Sequence, residues 1–393
     1  MRQIAASMAY DGYQWIKSPL IRLDDNDMIV DVGRFDPKKS EPAQTEYYHG
    51  ILTPGFINAH VHLELSFKDA VFTGKSGMSN FIRHVRWSRK SLAQPCADNM
   101  VNQVRKIKYS GTVAVSDVMN SGHALNLLEK SALKHIGFFE YYMLNEKQLQ
   151  QQAEKYKALV EQHPEKRIYP ALHAPYTISA SNISMLKKIF SGSQEITSIH
   201  FKESSDEIQL YQQKGELYNL YRDLENNYQP VVHHDDLVQG LFEIFRYTDK
   251  IMLVHNTFIT NQDINNIENL ARKTNKTIAF VLCPRSNYNI SGVYPPYNIL
   301  RKSELPLMLG TDSLLSVSSL SIFDELMFVH HGISDIPLGD MLQWITINPA
   351  RFFGLEKSIG SLRPGKKPGI NLIYGKGVNA EHWPENAELK VLV

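Results

Sequence analysis

Pro54-Gly55-Phe56-Ile57-Asn58-Ala59-His60-Val61-His62 is the stretch from which the rest of the chain is read. A proline–glycine pair breaks the preceding structure, a short apolar run follows, and two histidines close it two residues apart. On extended backbone, residues i and i+2 point the same way, so His60 and His62 present both rings to one side and one ion can take both. A buried strand ending in metal-type ligands suits the C-terminal face of a (β/α)8 barrel, the face where such barrels carry their active sites.

Seven further strand-like runs follow at intervals: Thr112 to Val118, Gly137 to Met143, Ile168 to His173, Ile196 to His200, Ile251 to His255, Thr277 to Leu282 and Leu305 to Gly310. Between them lie apolar residues at helical spacing, as in Met185-Leu186-Lys187-Lys188-Ile189-Phe190. Eight runs alternating with helices predict an α/β fold, a (β/α)8 TIM-type barrel over 54–357. A doubly wound open sheet is the competing architecture, but no GxGxxG or phosphate loop follows any of the runs. The two ends read differently. Ile21-Arg22-Leu23 and Met28-Ile29-Val30-Asp31-Val32 flank the turn Asp24-Asp25-Asn26-Asp27, and Ile370-Asn371-Leu372-Ile373-Tyr374 and Leu389 to Val393 are short apolar runs after a Pro/Gly-rich turn. They predict a small β-sandwich domain shared by 1–53 and 358–393, with the termini close together.

The 42 basic and 41 acidic side chains leave a formal net charge of +1, so no long-range field recruits nucleic acid or an anionic membrane, and a small-molecule substrate is expected. Two cysteines, Cys96 and Cys283, without CxxC spacing, exclude a disulfide framework or a thiolate zinc knuckle. No apolar run is long enough for a membrane span and no signal-peptide pattern opens the chain, so a cytoplasmic protein is expected. A homodimer is expected only from the commonness of two-fold assemblies.

Polar ligand-type residues fall where the strands end: His60 and His62 on the first, His173 on the fourth, His200 on the fifth, His255 on the sixth, and Asp312 just past the eighth. Singly, each is commonly a hydrogen-bonded structural residue, and Asp312 after Gly310-Thr311 would serve as an ordinary helix cap. Together at one face they point to a metal. A histidine-rich set with one carboxylate suits a borderline divalent ion, with zinc preferred and ferrous iron or manganese as alternatives. Glu203, in His200-Phe201-Lys202-Glu203-Ser204, places a carboxylate near that ion for general acid–base work; the neighbouring Asp206 and Glu207 compete for the role.

The run Pro54 to His62 resembles the opening signature of the amidohydrolase superfamily. The resemblance continues in order through His173-Ala174-Pro175-Tyr176, His200 to Ser204, Val254-His255-Asn256, Cys283-Pro284-Arg285-Ser286-Asn287, Gly310-Thr311-Asp312, Thr346-Ile347-Asn348-Pro349-Ala350-Arg351 and Gly360-Ser361-Leu362-Arg363-Pro364-Gly365. It is most like the aminohydrolase branch, which includes the chlorohydrolase-like enzymes and the guanine, S-adenosylhomocysteine and aminodeoxyfutalosine deaminases. The resemblance implies one metal held by His60, His62, His200 and Asp312. The fourth strand ends Leu172-His173 without the lysine of the binuclear branches, which implies a mononuclear site. It further implies Glu203 as the proton shuttle, Asp312 as acceptor of the water proton, and His255 as the group that orients the water. His173 would hold substrate. Thr311-Asp312-Ser313 departs from the Thr-Asp-Gly of the branch, and Pro368-Gly369 replaces its late Ala-Asp.

The implied activity is hydrolytic deamination: an oxo group replaces the exocyclic amine of an adenine-type compound, with 6-amino-6-deoxyfutalosine of menaquinone synthesis as the specific candidate. Guanine, S-adenosylhomocysteine and amide- or imino-bond substrates are the alternatives; a non-catalytic barrel would show broken ligands, and here all are intact. Arg285, in the loop after the seventh strand, and Arg83 and Arg86, on one side of a helix after the first, are expected to meet a substrate anion, with Arg89 more distant.

Overall fold

The computed structural model describes all residues except 39–43, 68–69, 92, 143–144, 192–193, 226–227, 232–236, 333–334, 379–382 and 384–385. The expected strand end at Met143 and the side chain of Cys96 lie outside the described residues.

The expected barrel is observed. Its strands are β6 (Phe56–Val61), β7 (Thr112–Met119), β8 (Lys134–Tyr141), β9 (Ile168–Leu172), β10 (Gln194–Phe201), β11 (Thr248–His255), β12 (Thr277–Leu282) and β13 (Leu307–Leu309), alternating with helices. They pair in parallel as two four-stranded sheets, β6-β7-β8-β9 and β10-β11-β12-β13. The sheets join at both seams through the site residues. The His200 amide donates to the His173 carbonyl (2.8 Å), and the Thr311 and Asp312 amides donate to the His60 carbonyl (2.9 and 3.1 Å). Asn58 bridges the second seam, donating to Thr311 Oγ1 (2.8 Å) and accepting from the Thr311 amide (3.2 Å). Gly310 is required there: a Cβ at that position would lie 2.6 Å from the Cβ of His60.

The two-residue period of the strands sorts their apolar side chains. Ile196, Met252, Val254, Ala279, Val281 and Met308 join one buried cluster, closed off by Ile347, Ala350 and Phe353. Ile199, Phe201, Leu253, Phe280, Leu282 and Leu309 join a larger cluster with helix residues such as Leu241, Phe242 and Leu326. Strands buried on both faces are thus continuously apolar until they reach the site.

Both chain ends build one connected seven-stranded sheet from β1 (Arg2–Tyr10), β2 (Trp15–Lys17), β3 (Pro19–Leu23), β4 (Ile29–Arg34), β5 (Thr45–Pro54), β14 (Ile370–Tyr374) and β15 (Glu388–Val391). Its pairs are antiparallel except β1–β5. Arg2 donates to the Leu392 carbonyl (2.8 Å), so the termini are adjacent. Among the described residues no helix is long and apolar enough to cross a membrane.

Candidate active site

Four non-glycine residues adopt left-handed backbone where β10, β11 and β13 end: Lys202 (φ 49°), His255 (75°), Asn256 (56°) and Asp312 (62°). Such backbone costs on the order of 1 kcal/mol or more and persists only where surrounding contacts hold it. Its concentration at one rim of the barrel marks the site.

His60, His62 and His200 offer ring nitrogens within 4.8 Å of one another, all on buried side chains. The Nε2 atoms of His60 and His200 lie 3.2 Å apart, close to the roughly 3.4 Å that two nitrogens span on one tetrahedral zinc. Asp312 Oδ1 lies 3.6 Å from His62 Nε2 and 3.9 Å from His60 Nε2. Its other oxygen accepts from Ser286 Oγ (2.6 Å) and Ser316 Oγ (2.7 Å), so the carboxylate is oriented with one oxygen left for a metal. Burial, reinforced by the neighbouring rings, drives His60 and His200 far below the ordinary histidine range. Burial also lowers His62, against the pull of Glu140 and Asp312. Neutral imidazoles and an oriented carboxylate are the donor chemistry a divalent ion needs, and the four residues named from the sequence meet here.

Of the three competing acids after His200, only Glu203 faces the cavity. Its Oε1 lies 3.4 Å from His255 Nε2. Burial, with Asp312 and Glu207 adding repulsion, pushes its carboxyl well above the usual range and so favours the protonated form. His255 is moved by burial the other way, to about 4. Asn287 donates to His255 Nδ1 (3.2 Å), leaving the ring hydrogen on Nε2, toward Glu203. Asp206 instead binds Ser79 through its amide (3.0 Å) and hydroxyl (3.1 Å), capping the helix Met78–Ser91. Glu207 is buried in the protein.

A cavity of about 440 Å³ opens from His62, His200, Glu203, His255 and Asp312. The helix Met78–Ser91 forms one wall with Phe81, Ile82, Val85, Arg86 and Arg89, and Tyr221 and Leu224 also line the chamber. His173 lines it too, anchored through Nδ1 to Glu140 Oε1 at 2.6 Å.

Two substrate-binding expectations are corrected. Arg285 is absent from the cavity lining. Its Nε donates to the buried Glu325 (2.8 Å) and its Nη2 to the Ser319 carbonyl (2.6 Å), so it ties its loop to the helix Ile322–Gly332. Arg83 is exposed and bound to Asn80 (3.0 Å) and Glu216 (3.3 Å). The helix turns Arg86 and Arg89 to the cavity instead; Arg89 is steadied by Asn120 (2.9 Å) and Tyr142 (3.3 Å).

Sequence reasoning missed Glu140, Ser286 and Ser316. A lone acid in Gly137-Phe138-Phe139-Glu140-Tyr141 is a signal that would have found the first. Burial alone would raise the Glu140 carboxyl, but His173 and the Asn120 amide hold it down to about 2. Ionised Glu140 therefore contributes stability in full above the ordinary value of 4.5, and that contribution is lost as pH falls toward 2. Glu140→Gln is expected to destabilise the fold by ~3 kcal/mol near pH 7. In urea unfolding at a series of pH values the gap from wild type should close on acidification below 4.5; a gap independent of pH would refute the assignment.

Residues 51–389 match the Amidohydrolase family. An adenosine deaminase of Helicobacter pylori is 27% identical over 382 residues, covering 94% of this chain and 90% of that protein. An aminodeoxyfutalosine deaminase of a Nitratiruptor species is 26% identical over 318 residues, covering 75% of this chain and 72% of that protein. Among solved structures, Helicobacter pylori aminofutalosine deaminase in complex with methylthio-coformycin superposes with a TM-score of 0.79 at 23% identity, over 98% of this chain and 94% of that one. That superposition shows a shared fold.

Proposed function

The chain belongs to the Amidohydrolase family, and we propose that it is a zinc-dependent deaminase that replaces the exocyclic amine of an adenine-type nucleoside by an oxo group. The observation that carries this reading is the placement of the buried Glu203, beside His255, next to the His60–His62–His200–Asp312 donor set at one cavity. The names of the adenosine and aminodeoxyfutalosine deaminases support the same chemistry.

His60, His62, His200 and Asp312 would hold the ion, and a bound divalent ion supplies hydroxide at neutral pH by acidifying water. The chain's own groups do the rest. Glu203 delivers its proton to the ring nitrogen beside the amino-bearing carbon, making that carbon electrophilic. Water adds there, and Asp312 takes one of its protons. His255, with its ring hydrogen on Nε2, orients the water and meets the developing negative oxygen. The proton held by Asp312 passes to the amine, and ammonia leaves. Glu203 recovers a proton from the added hydroxyl as that oxygen becomes the oxo group. One water is consumed, one ammonia is released, and both acids end as they began.

The outer cavity favours a tail with an acid at its end. Phe81, Ile82, Val85 and Tyr221 supply an apolar chamber and Arg86 and Arg89 supply cations, as the benzoate of 6-amino-6-deoxyfutalosine requires. The test is ammonia release by zinc-loaded protein from aminodeoxyfutalosine, S-adenosylhomocysteine, adenosine, adenine and guanine. Aminodeoxyfutalosine is expected to be the best substrate, and Arg86→Ala to raise its KM by roughly tenfold. Silence across the panel with metal bound would defeat the deaminase reading. Preference for a substrate without an acid would defeat only the assigned tail.

A further inference from the structure

We propose that Glu207 is a positioning residue for Glu203, fixing the backbone from which the acid reaches the cavity; the proposal rests on Glu203 as the proton donor. Glu207 is fully buried and four residues beyond Glu203. Its two oxygens each take a backbone amide: Oε1 accepts from Lys202 (3.1 Å) and Oε2 from Glu203 itself (2.7 Å). Tyr211 donates its hydroxyl to Oε1 (2.9 Å), and the Glu207 amide donates back to Ser204 Oγ (3.1 Å), closing the cap of the helix Ser205–Tyr211.

These bonds fall on the left-handed Lys202 (φ 49°), which redirects the chain between the ligand His200 and Glu203. The rest of the turn is held from the other side. Lys202 Nζ donates to Asp263 (2.6 Å), the Lys202 carbonyl accepts from the Phe258 amide (2.9 Å), and the Phe201 carbonyl accepts from the Asn256 amide (3.0 Å). Among the described residues, Glu207 is the group that holds the two amides on either side of the strained turn. Without it both would be buried donors with no acceptor, and the turn would lose what keeps its unfavourable φ. Proton transfer is steep in distance and angle, so a small displacement of Glu203 costs rate rather than affinity.

Glu207→Gln tests this. The amide keeps the volume but has one acceptor oxygen for two backbone donors. The expected result is a loss of roughly 10- to 100-fold from kcat, KM within about threefold of wild type, and unchanged zinc content. Added to Glu203→Gln, assayed at high enzyme concentration, it should lower the residual rate by less than about twofold, because the residue it acts through is already gone. A kcat within about twofold of wild type, a loss confined to KM, or a loss that recurs in full on the Glu203→Gln background would each overturn the proposal. Should Glu207→Gln fail to fold, Glu207→Asp retains the charge with a shorter reach and must show the same kcat-only loss. Wild-type protein inactive on every substrate defeats the deaminase reading and this proposal with it, whereas active wild type with an indifferent Glu207 variant defeats the proposal alone.

Discussion

Glu203→Gln is expected to leave fold, zinc content and KM nearly intact and to lower kcat by about a thousandfold or more, from the range general acid–base groups contribute. Glutamine has the volume of the acid and still donates a hydrogen bond toward the ring nitrogen, but it cannot transfer a proton. The large effect follows from the surroundings. Glu203 is buried, its carboxyl is pushed well above the usual range by that burial and by Asp312 and Glu207, and His255 lies 3.4 Å away. Of the other acids lining the cavity, the two that meet its histidines are already engaged: Glu140 is ionised and bound to His173, and Asp312 faces His60 and His62. Neither is placed to substitute. Steady-state ammonia release with metal content measured on the same sample checks this; a loss below about tenfold would mean that the proton comes from elsewhere.

The contrast between what could be read in advance and what could not has a physical basis. A strand buried on both faces is apolar until it leaves the barrel, so its polar end stands out, and His60, His62, His200, His255 and Asp312 were visible for that reason. Short β13 (Leu307–Leu309) was still found because Gly310 and Asp312 punctuate its end. Partners far along the chain were invisible. Nothing local to Arg285 announces Glu325, forty residues later, which takes its guanidinium from the cavity. Helical spacing placed Arg83 beside Arg86, but only the packing of the helix Met78–Ser91 decides which of the two turns inward. The acids of Glu203-Ser204-Ser205-Asp206-Glu207 look alike in sequence. They separate into a cavity-facing acid beside His255, a cap on another helix and an acceptor of backbone amides only once β10 has delivered them to the rim. In the terminal sheet β3, β4, β14 and β15 were legible as strands, whereas β1, β2 and β5 were not, and the parallel β1–β5 contact joins segments more than forty residues apart.

Removal of the metal should have the other large effect, on stability as well as on rate. Three buried imidazoles meet with two ring nitrogens 3.2 Å apart, and burial with mutual repulsion keeps His60 and His200 from taking up protons instead. Such a group of lone pairs is unfavourable unless an ion sits among them, so binding and folding are linked. Dialysis against a strong chelator is expected to reduce activity by at least roughly a thousandfold and to lower Tm by several degrees, with zinc restoring both. Asp312→Asn should reproduce most of the activity loss even when zinc is supplied. The amide is a poorer ligand and cannot accept the water proton, although Ser286 and Ser316 can still hold its oxygen. Ser286→Ala, which leaves the carboxylate but removes one of the two hydroxyls that orient it, should instead weaken zinc affinity by roughly 10- to 100-fold, with activity recovered at excess metal. Chelated protein that keeps both its rate and its Tm would show that these four side chains hold no catalytic ion. An Asp312→Asn protein that binds zinc and turns over normally would keep the ion but take the proton-accepting role away from Asp312.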